Sequence, residues 1–307
     1  MKGLELSKSF YLEFGEPLLK EQFSDVLHLI AVGLAGSGSE CLGFDDEISR
    51  DHDFEPGFII FLPDEDTLDR KTAFKLERAY AKLPKEYMGF KMSPLSPVGG
   101  NRHGVMRMED FFMDRTGTPD GRLSLEEWLS LPEQALLEAT NGSVFFDGYG
   151  MLSKIRKRLH YLPDSVRLKK LAGHLLLMGQ SGQYNYKRCL IRGDAGAAAL
   201  SASEFVKSAI HTIFLLNRSY LPYYKWQFRG LKDLEILSEL YAPLEEIMIS
   251  PIDKEELIEE VCQSIIHELK RQALTEYGCT EFEGHAYSVN NKIKDGEIRN
   301  LNILYGV

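Results

Sequence analysis

Asp51 and Asp53 stand one residue apart in Asp51-His52-Asp53-Phe54-Glu55-Pro56-Gly57, just ahead of the apolar run Phe58-Ile59-Ile60-Phe61-Leu62. In an extended chain alternate side chains share a face, so the two carboxylates project together while His52 points away. Paired carboxylates suit a hard divalent cation, Mg²⁺ or Mn²⁺, which prefers oxygen ligands and commonly takes substrate phosphates as well. Such a cation neutralises charge on a triphosphate and assists in-line attack at phosphorus. Upstream, Gly36-Ser37-Gly38-Ser39 supplies small residues that let backbone N–H groups and hydroxyls approach phosphate oxygens. Asp51 and Asp53 are thus the candidate catalytic and metal-binding residues, and Gly36, Ser37 and Ser39 are candidate nucleotide contacts.

Acidic pairs are common on solvated strands, so the elements that position this one matter. Leu18, Leu19, Phe23, Val26, Leu27 and Ile30 recur at helical spacing and predict an amphipathic helix ending near Gly33. The Gly-Ser turn follows. Phe58 to Leu62 reads as a buried strand closed by Pro63-Asp64, and residues 69 to 82 as a helix with Ala73, Leu76, Ala79 and Tyr80 on one face. A short strand is expected over Gly104 to Met108. From Ser124, a helix cap, the signals are helical, with long patterns at 151–160, 164–180, 184–191, 196–218, 228–240 and 253–275. The expected fold class is α+β: a mixed sheet with flanking helices over residues 1–122, then an all-α bundle over 123–307, side by side with a cleft between them.

A helix, a Gly-Ser turn, about 14 residues and then D-x-D opening a buried strand resembles the signature of the nucleotidyltransferase superfamily. That superfamily includes the aminoglycoside and lincosamide adenylyltransferases. Three further segments are similar to a bacterial group of nucleotidyltransferase-like proteins carrying a C-terminal helical domain of unknown function. They are Trp128-Leu129-Ser130-Leu131-Pro132-Glu133-Gln134, Gly142-Ser143-Val144-Phe145-Phe146-Asp147-Gly148, and Leu215-Leu216-Asn217-Arg218 with Pro222-Tyr223-Tyr224-Lys225-Trp226. The resemblance implies transfer of a nucleoside monophosphate from a nucleoside triphosphate to a hydroxyl or amine, with release of pyrophosphate. It also implies a third carboxylate on a neighbouring strand. Here that strand reads Gly104-Val105-Met106-Arg107-Met108 and holds no acid, which leaves Glu109, with Asp110 beside it, as the candidate.

The helical half offers a second group of polar and aromatic residues. Tyr184, Arg188 and Arg192 precede Asp194, and the two arginines lie four apart on a helical face, a spacing suited to clamping phosphate. Asp194 or Glu204 is the candidate base towards an acceptor. Lys225, after the Pro-Tyr-Tyr turn, is placed to meet a phosphate, with Arg229 one turn beyond. The alternative for all these cations is pairing with some of the chain's 46 acids. Tyr220, Tyr223, Tyr224, Trp226 and Trp128 read as core aromatics before they read as stacking platforms. Thr116 to Glu127 imitates an EF-hand loop, but Thr116 and Thr118 stand where oxygen-rich ligands are required.

Composition narrows the partners. A formal net charge of −10 argues against a surface built to grip nucleic acid through many phosphates and favours a small-molecule acceptor. RNA or protein acceptors stay open, the former requiring Lys154, Arg156, Lys157, Arg158 and Arg188 to converge. The apolar run at Leu27 to Leu34 is far short of the ~20 residues of a membrane span, and no signal-peptide pattern opens the chain, so a cytoplasmic protein without membrane association is expected. Cys41, Cys189, Cys262 and Cys279 are scattered and read as reduced thiols. The rival to an enzyme is a nucleotide sensor or interaction protein with an incomplete carboxylate set; a third reading is a toxin-like enzyme that modifies RNA or protein.

Overall fold

The computed structural model describes residues 1–48, 54–92, 102–251 and 253–307. The chain forms two compact units, one of residues 1–122 and 134–160, the other of 123–133 and 161–307. The protein is α+β. Where a single boundary after residue 122 is expected, the chain crosses between the units three times, after residues 122, 133 and 160, because residues 143–147 return to the sheet.

The first unit holds a four-stranded mixed sheet in the order β5-β2-β1-β6. Its strands are β1 (Ala31–Leu34), β2 (Ile59–Leu62), β5 (Gly104–Arg107) and β6 (Ser143–Asp147), while β3 (Glu86–Tyr87) and β4 (Phe90–Lys91) form a separate hairpin. β1 pairs antiparallel with both β2 and β6, and β2 pairs parallel with β5. Every residue of β1 and β2 is buried, as a strand covered on both faces requires. Helices α1 (Gly3–Phe10), α2 (Glu16–Gln22) and α4 (Arg70–Tyr80) contribute Leu6, Phe10, Leu19 and Leu76 to a core shared with Val32, Ile60 and Leu62. The alternate residue Phe61 meets Phe111 edge-to-face at 5.1 Å from α5 (Met108–Thr116). Asp69 caps α4 by accepting the Thr72 N–H at 3.0 Å.

Two expectations need correcting here. The helix predicted to run to Gly33 stops at Gln22, and residues 31–34 become the central strand β1. An apolar run of this length fits a buried strand as well as a helix, and pairing with β2 and β6 decides between them. β6 also went unread within a region of helical signals. Gly33 marks where β6 arrives: a Cβ there would stand 2.5 Å from the Ser143 carbonyl oxygen.

Tyr80 ties α4 to the approach to β2. Its hydroxyl accepts the Phe58 N–H at 3.1 Å and donates to the Phe58 carbonyl at 2.8 Å, and burial pushes its pKa up. Tyr80→Phe leaves the Phe58 N–H without a partner in a dry site, while the Phe58 carbonyl keeps the Gly104 N–H at 2.9 Å. We expect a loss of about 1–3 kcal/mol in urea unfolding, with an unchanged m-value.

The other elements, in chain order, are α3 (Ser39–Leu42), α6 (Leu125–Ser130), α7 (Glu133–Thr140), α8 (Met151–Arg158), α9 (Asp164–Met178), α10 (Lys187–Ile191), α11 (Ala195–Leu216), α12 (Gln227–Lys232), α13 (Tyr241–Ile249), α14 (Glu255–Arg271), α15 (Phe282–Asn291) and α16 (Gly296–Asn300). α3, α8 and most of α7 lie in the first unit and the others in the second. Ser124 caps α6 in a reciprocal box with Glu127. The helix expected over 228–240 is instead α12 and a separate 3₁₀ turn over Ser238–Leu240, entered through Leu237 at φ +62°. α11 is long and apolar enough to span a membrane by composition, but 61% of that stretch is buried within the protein, as in a core helix.

In the second unit α9 is buried on almost every side, and its polar residues do specific work. The fully buried Lys169 ammonium donates to Asn290 Oδ1 at 3.0 Å and to the Arg299 and Leu301 carbonyls at 3.3 and 2.6 Å. Lys170 donates to the Gly306 carbonyl at 2.8 Å. Together they fasten the C-terminal segment to α9. Lys169→Met removes three part-buried hydrogen bonds, and we expect about 1–3 kcal/mol of destabilisation with faster amide exchange over residues 293–307.

Candidate functional site

A cleft of about 330 Å³ opens beside the Gly36-Ser37-Gly38 turn, walled opposite by α5. Its lining comes wholly from the first unit. By contrast, the void beside Arg167 and Tyr220 in the second unit holds about 10 Å³, no more than a single water could use.

β1 delivers the turn to the cleft. Leu34 ends the strand, and Gly36 adopts φ +130°, a conformation glycine alone tolerates easily. Asn141, just after α7, holds this turn from behind: its Oδ1 accepts the Gly36 N–H at 2.9 Å and its Nδ2 donates to the Gly36 carbonyl at 2.7 Å. Arg156 of α8 in turn donates to the Thr140 and Asn141 carbonyls at 2.5 and 2.6 Å. Gly36 therefore lines the cleft with its amide already engaged. Ser37 is exposed and stands on the lining; Ser39 opens the four-residue α3 and is not on it.

Polar groups of both signs face this space. Arg102 pairs with Glu40 at 2.8 Å. Asp110, Asp114 and Arg115 come from α5, where four-residue spacing turns Asp110 and Asp114 the same way. Glu109, the expected third carboxylate, is exposed on the first turn of α5 and is absent from the lining; Asp110 stands on the lining in its place. Helix geometry is the reason, since adjacent helical residues diverge by about 100°. Asp51, His52 and Asp53 lie outside the described residues.

The cleft lining carries oxygen donors of the kind a hard cation takes. Glu40, Asp110 and Asp114 offer carboxylate oxygens. Cys41, also on the lining, is buried, and burial pushes its thiol pKa well up, so it stays protonated and is no thiolate ligand. Among the described residues no three of His, Cys, Asp and Glu converge as a metal-binding group.

The residues proposed in the helical half belong to the second unit. Arg188 lies over the exposed Tyr184 ring at 4.6 Å, and Arg192 is exposed at the end of α10. Asp194 accepts the Ala197 N–H at 2.9 Å and caps α11, a structural task; Glu204 is exposed on α11. Lys225 and Arg229 both approach Trp226, at 5.0 and 5.8 Å. Trp128 and Tyr220 are core, whereas Tyr223 and Tyr224 are exposed. The basic strip required for gripping RNA loses two members, since Arg156 is spent on Asn141 and Arg158 donates to the Asp120 carbonyl at 2.8 Å. His103, beside the cleft's Arg102, pairs with Glu55 at 3.0 Å.

Sequence reasoning missed Asn141, Arg102 and Arg115. Asn141 holds the Gly36 turn from 105 residues away, and no local pattern links the two. Arg115 sits one turn beyond Phe111, a spacing that signals aromatic stacking once the helix is known.

Fold and site together define an α+β protein with a polar cleft at a glycine-rich turn off its central strand. Residues 128–227 match a family model described as a domain of unknown function (DUF4037). No curated protein matches the chain. Among solved structures the chain is similar to a nucleotidyltransferase-like protein from Exiguobacterium sibiricum 255-15, with 13% identity and a TM-score of 0.37, covering 92% of this chain and 81% of that one.

Proposed function

We propose that the protein is a metal-dependent nucleotidyltransferase that moves a nucleoside monophosphate from a nucleoside triphosphate to a hydroxyl or amine of a small-molecule acceptor. The observation that carries this reading is the cleft itself: a 330 Å³ space bounded by the Gly-Ser turn on one side and by α5 carboxylates and a guanidinium on the other. Its size suits a nucleotide-scale ligand. Asp51 and Asp53 are the residues proposed to hold Mg²⁺ or Mn²⁺, with Asp110 in place of Glu109 as the third carboxylate. The cation supplies charge neutralisation on the phosphates.

In the reaction the acceptor oxygen or nitrogen bonds to the α-phosphorus, the bond from that phosphorus to the bridging oxygen breaks, and pyrophosphate leaves. The acceptor's proton passes to a base. Ser37 and Arg115 bind the phosphate chain and orient it, while Asn141 and Arg156 keep the turn in shape behind it. Similarity to aminoglycoside and lincosamide adenylyltransferases belongs to this proposal, as do a cytoplasmic location, a phosphate contact from Lys225, and acceptor selection by the helical unit through Tyr184, Arg188, Arg192, Asp194 and Arg229.

One observation favours a second reading, a nucleotide-binding sensor: the amide of Gly36 is taken by Asn141, so the turn offers fewer donors to a transferring phosphate than an open Gly-Ser loop would. Incubating the full chain with Mg²⁺, each labelled ribonucleoside triphosphate and a mixture of candidate acceptors separates the two. Pyrophosphate release with one nucleotide supports the enzyme. Nucleotide binding without release supports the sensor.

A further inference from the structure

Arg115 is an ion held in an unusual state of need. Only about 20% of its side chain is exposed, and burial pulls its pKa down. Its guanidinium lies over the Phe111 ring at 3.9 Å, which fixes its plane. Nη1 donates to the Phe111 carbonyl at 3.1 Å and pairs with the carboxylate of Asp114, 3.6 Å away and 82% exposed. Nε is buried and has no acceptor among the described residues. Nη2 faces the glycine turn, 3.4 Å from where a Cβ on Gly36 would stand. Taking a cation this far from water with only an exposed carboxylate at 3.6 Å is unfavourable, and among the described residues no other ion pair to Arg115 offsets that cost.

We propose that Arg115 is the anion ligand of the cleft and takes an oxygen of a polyphosphate chain from its Nη2 side. The choice of polyphosphate rests on the nucleotidyl-transfer reading; the need for an anion rests on the guanidinium alone. The aromatic stack and the short helix-carbonyl bond preorganise the donor, so little side-chain entropy is lost on binding. The cleft's own carboxylates leave room for this role, since Glu40 is paired with Arg102 and Asp114 points to solvent.

The test is calorimetric titration of the full chain with inorganic tripolyphosphate in the presence of Mg²⁺. Wild type is expected to bind, and Arg115→Met to bind about tenfold to a hundredfold more weakly, the worth of a charge-assisted hydrogen bond. Without ligand, Arg115→Met should melt no lower than wild type, because it removes a largely buried charge whose ion-pair partner Asp114 is exposed and 3.6 Å away, while keeping an apolar stem over Phe111. Arg115→Lys keeps the charge and loses the planar fork; it should bind more weakly than wild type, and it carries the test if the methionine variant does not fold. Arg70→Met, an exposed residue paired to Glu65, should bind as wild type. Absence of binding by wild type, or binding by the Arg115 variants as tight as wild type, overturns the proposal. Arg115-dependent binding without pyrophosphate release from any nucleotide would instead sink the transferase reading alone, and release unaffected by Arg115→Met would sink this inference alone.

Discussion

Exchanging Asp51 and Asp53 together for alanine is expected to lower pyrophosphate release by at least about a thousandfold, which corresponds to roughly 4 kcal/mol of transition-state stabilisation. The reasoning is electrostatic. Without the paired carboxylates the proposed cation loses its ligands, and the charge of the triphosphate goes unneutralised. Nucleotide affinity measured with Mg²⁺ should fall as well, because the cation bridges two negative partners. Each single variant should keep some activity if the remaining carboxylate retains the cation. Release at the wild-type rate by the double variant would remove the metal from the mechanism, whereas intact nucleotide binding with no release in wild type would move the assignment to the sensor.

Acid should destabilise the helical unit, and His211 gives the effect a size. His174 and His211 stack with ring centroids 4.2 Å apart and planes 17° from parallel. His174 is buried and its Nδ1 has no partner among the described residues. Burial, reinforced by the nearby Lys170 ammonium, pulls the His211 pKa from 6.5 to about 4, and burial, the His211 ring and Lys170 pull His174 down as well. The unfolded chain therefore binds more protons than the folded one between pH 6.5 and about 4. Stability present above pH 6.5 is lost as pH falls through that window, by about 3 kcal/mol for His211 alone, with His174 acting in the same direction.

Glu133 works the other way. It accepts the Leu221 N–H at 3.1 Å, and burial outweighs the Lys170 charge and raises its pKa, so its folded form keeps a proton that the unfolded form gives up. The decisive measurement is a difference: urea unfolding of wild type and His211→Phe at pH 7, 5.5 and 4. The variant should lose markedly less stability on acidification. Parallel losses in the two proteins would show that carboxylates elsewhere, and not the histidine stack, set the acid limit.

The strand Ile59–Leu62, the helix Arg70–Tyr80, the capping box at Ser124 and Glu127, and much of α9 and α11 could be read directly from the chain. Each rests on interactions within a few residues, so apolar period and cap chemistry suffice to announce it. The α+β character was legible for the same reason, while Gly36, Ser37, Asp51 and Asp53 drew attention through residue type and spacing alone.

What the chain could not announce depends on partners distant in sequence. Residues 31–34 form a strand because β2 and β6 bracket them, and β6 joins the sheet because Gly33 lets it approach. The same return of the chain places Asn141 against Gly36, which changes the turn from an open phosphate cradle into a supported wall. The direction of α5 likewise moved the acid facing the cleft from Glu109 to Asp110 and placed Arg115 beside the turn. Sequence by itself therefore determined which segments prefer helix or strand and which residue types are available for phosphate chemistry. Tertiary structure alone decided which of those side chains share a cleft, because long-range pairing and burial set both their positions and the strength of the charges they carry.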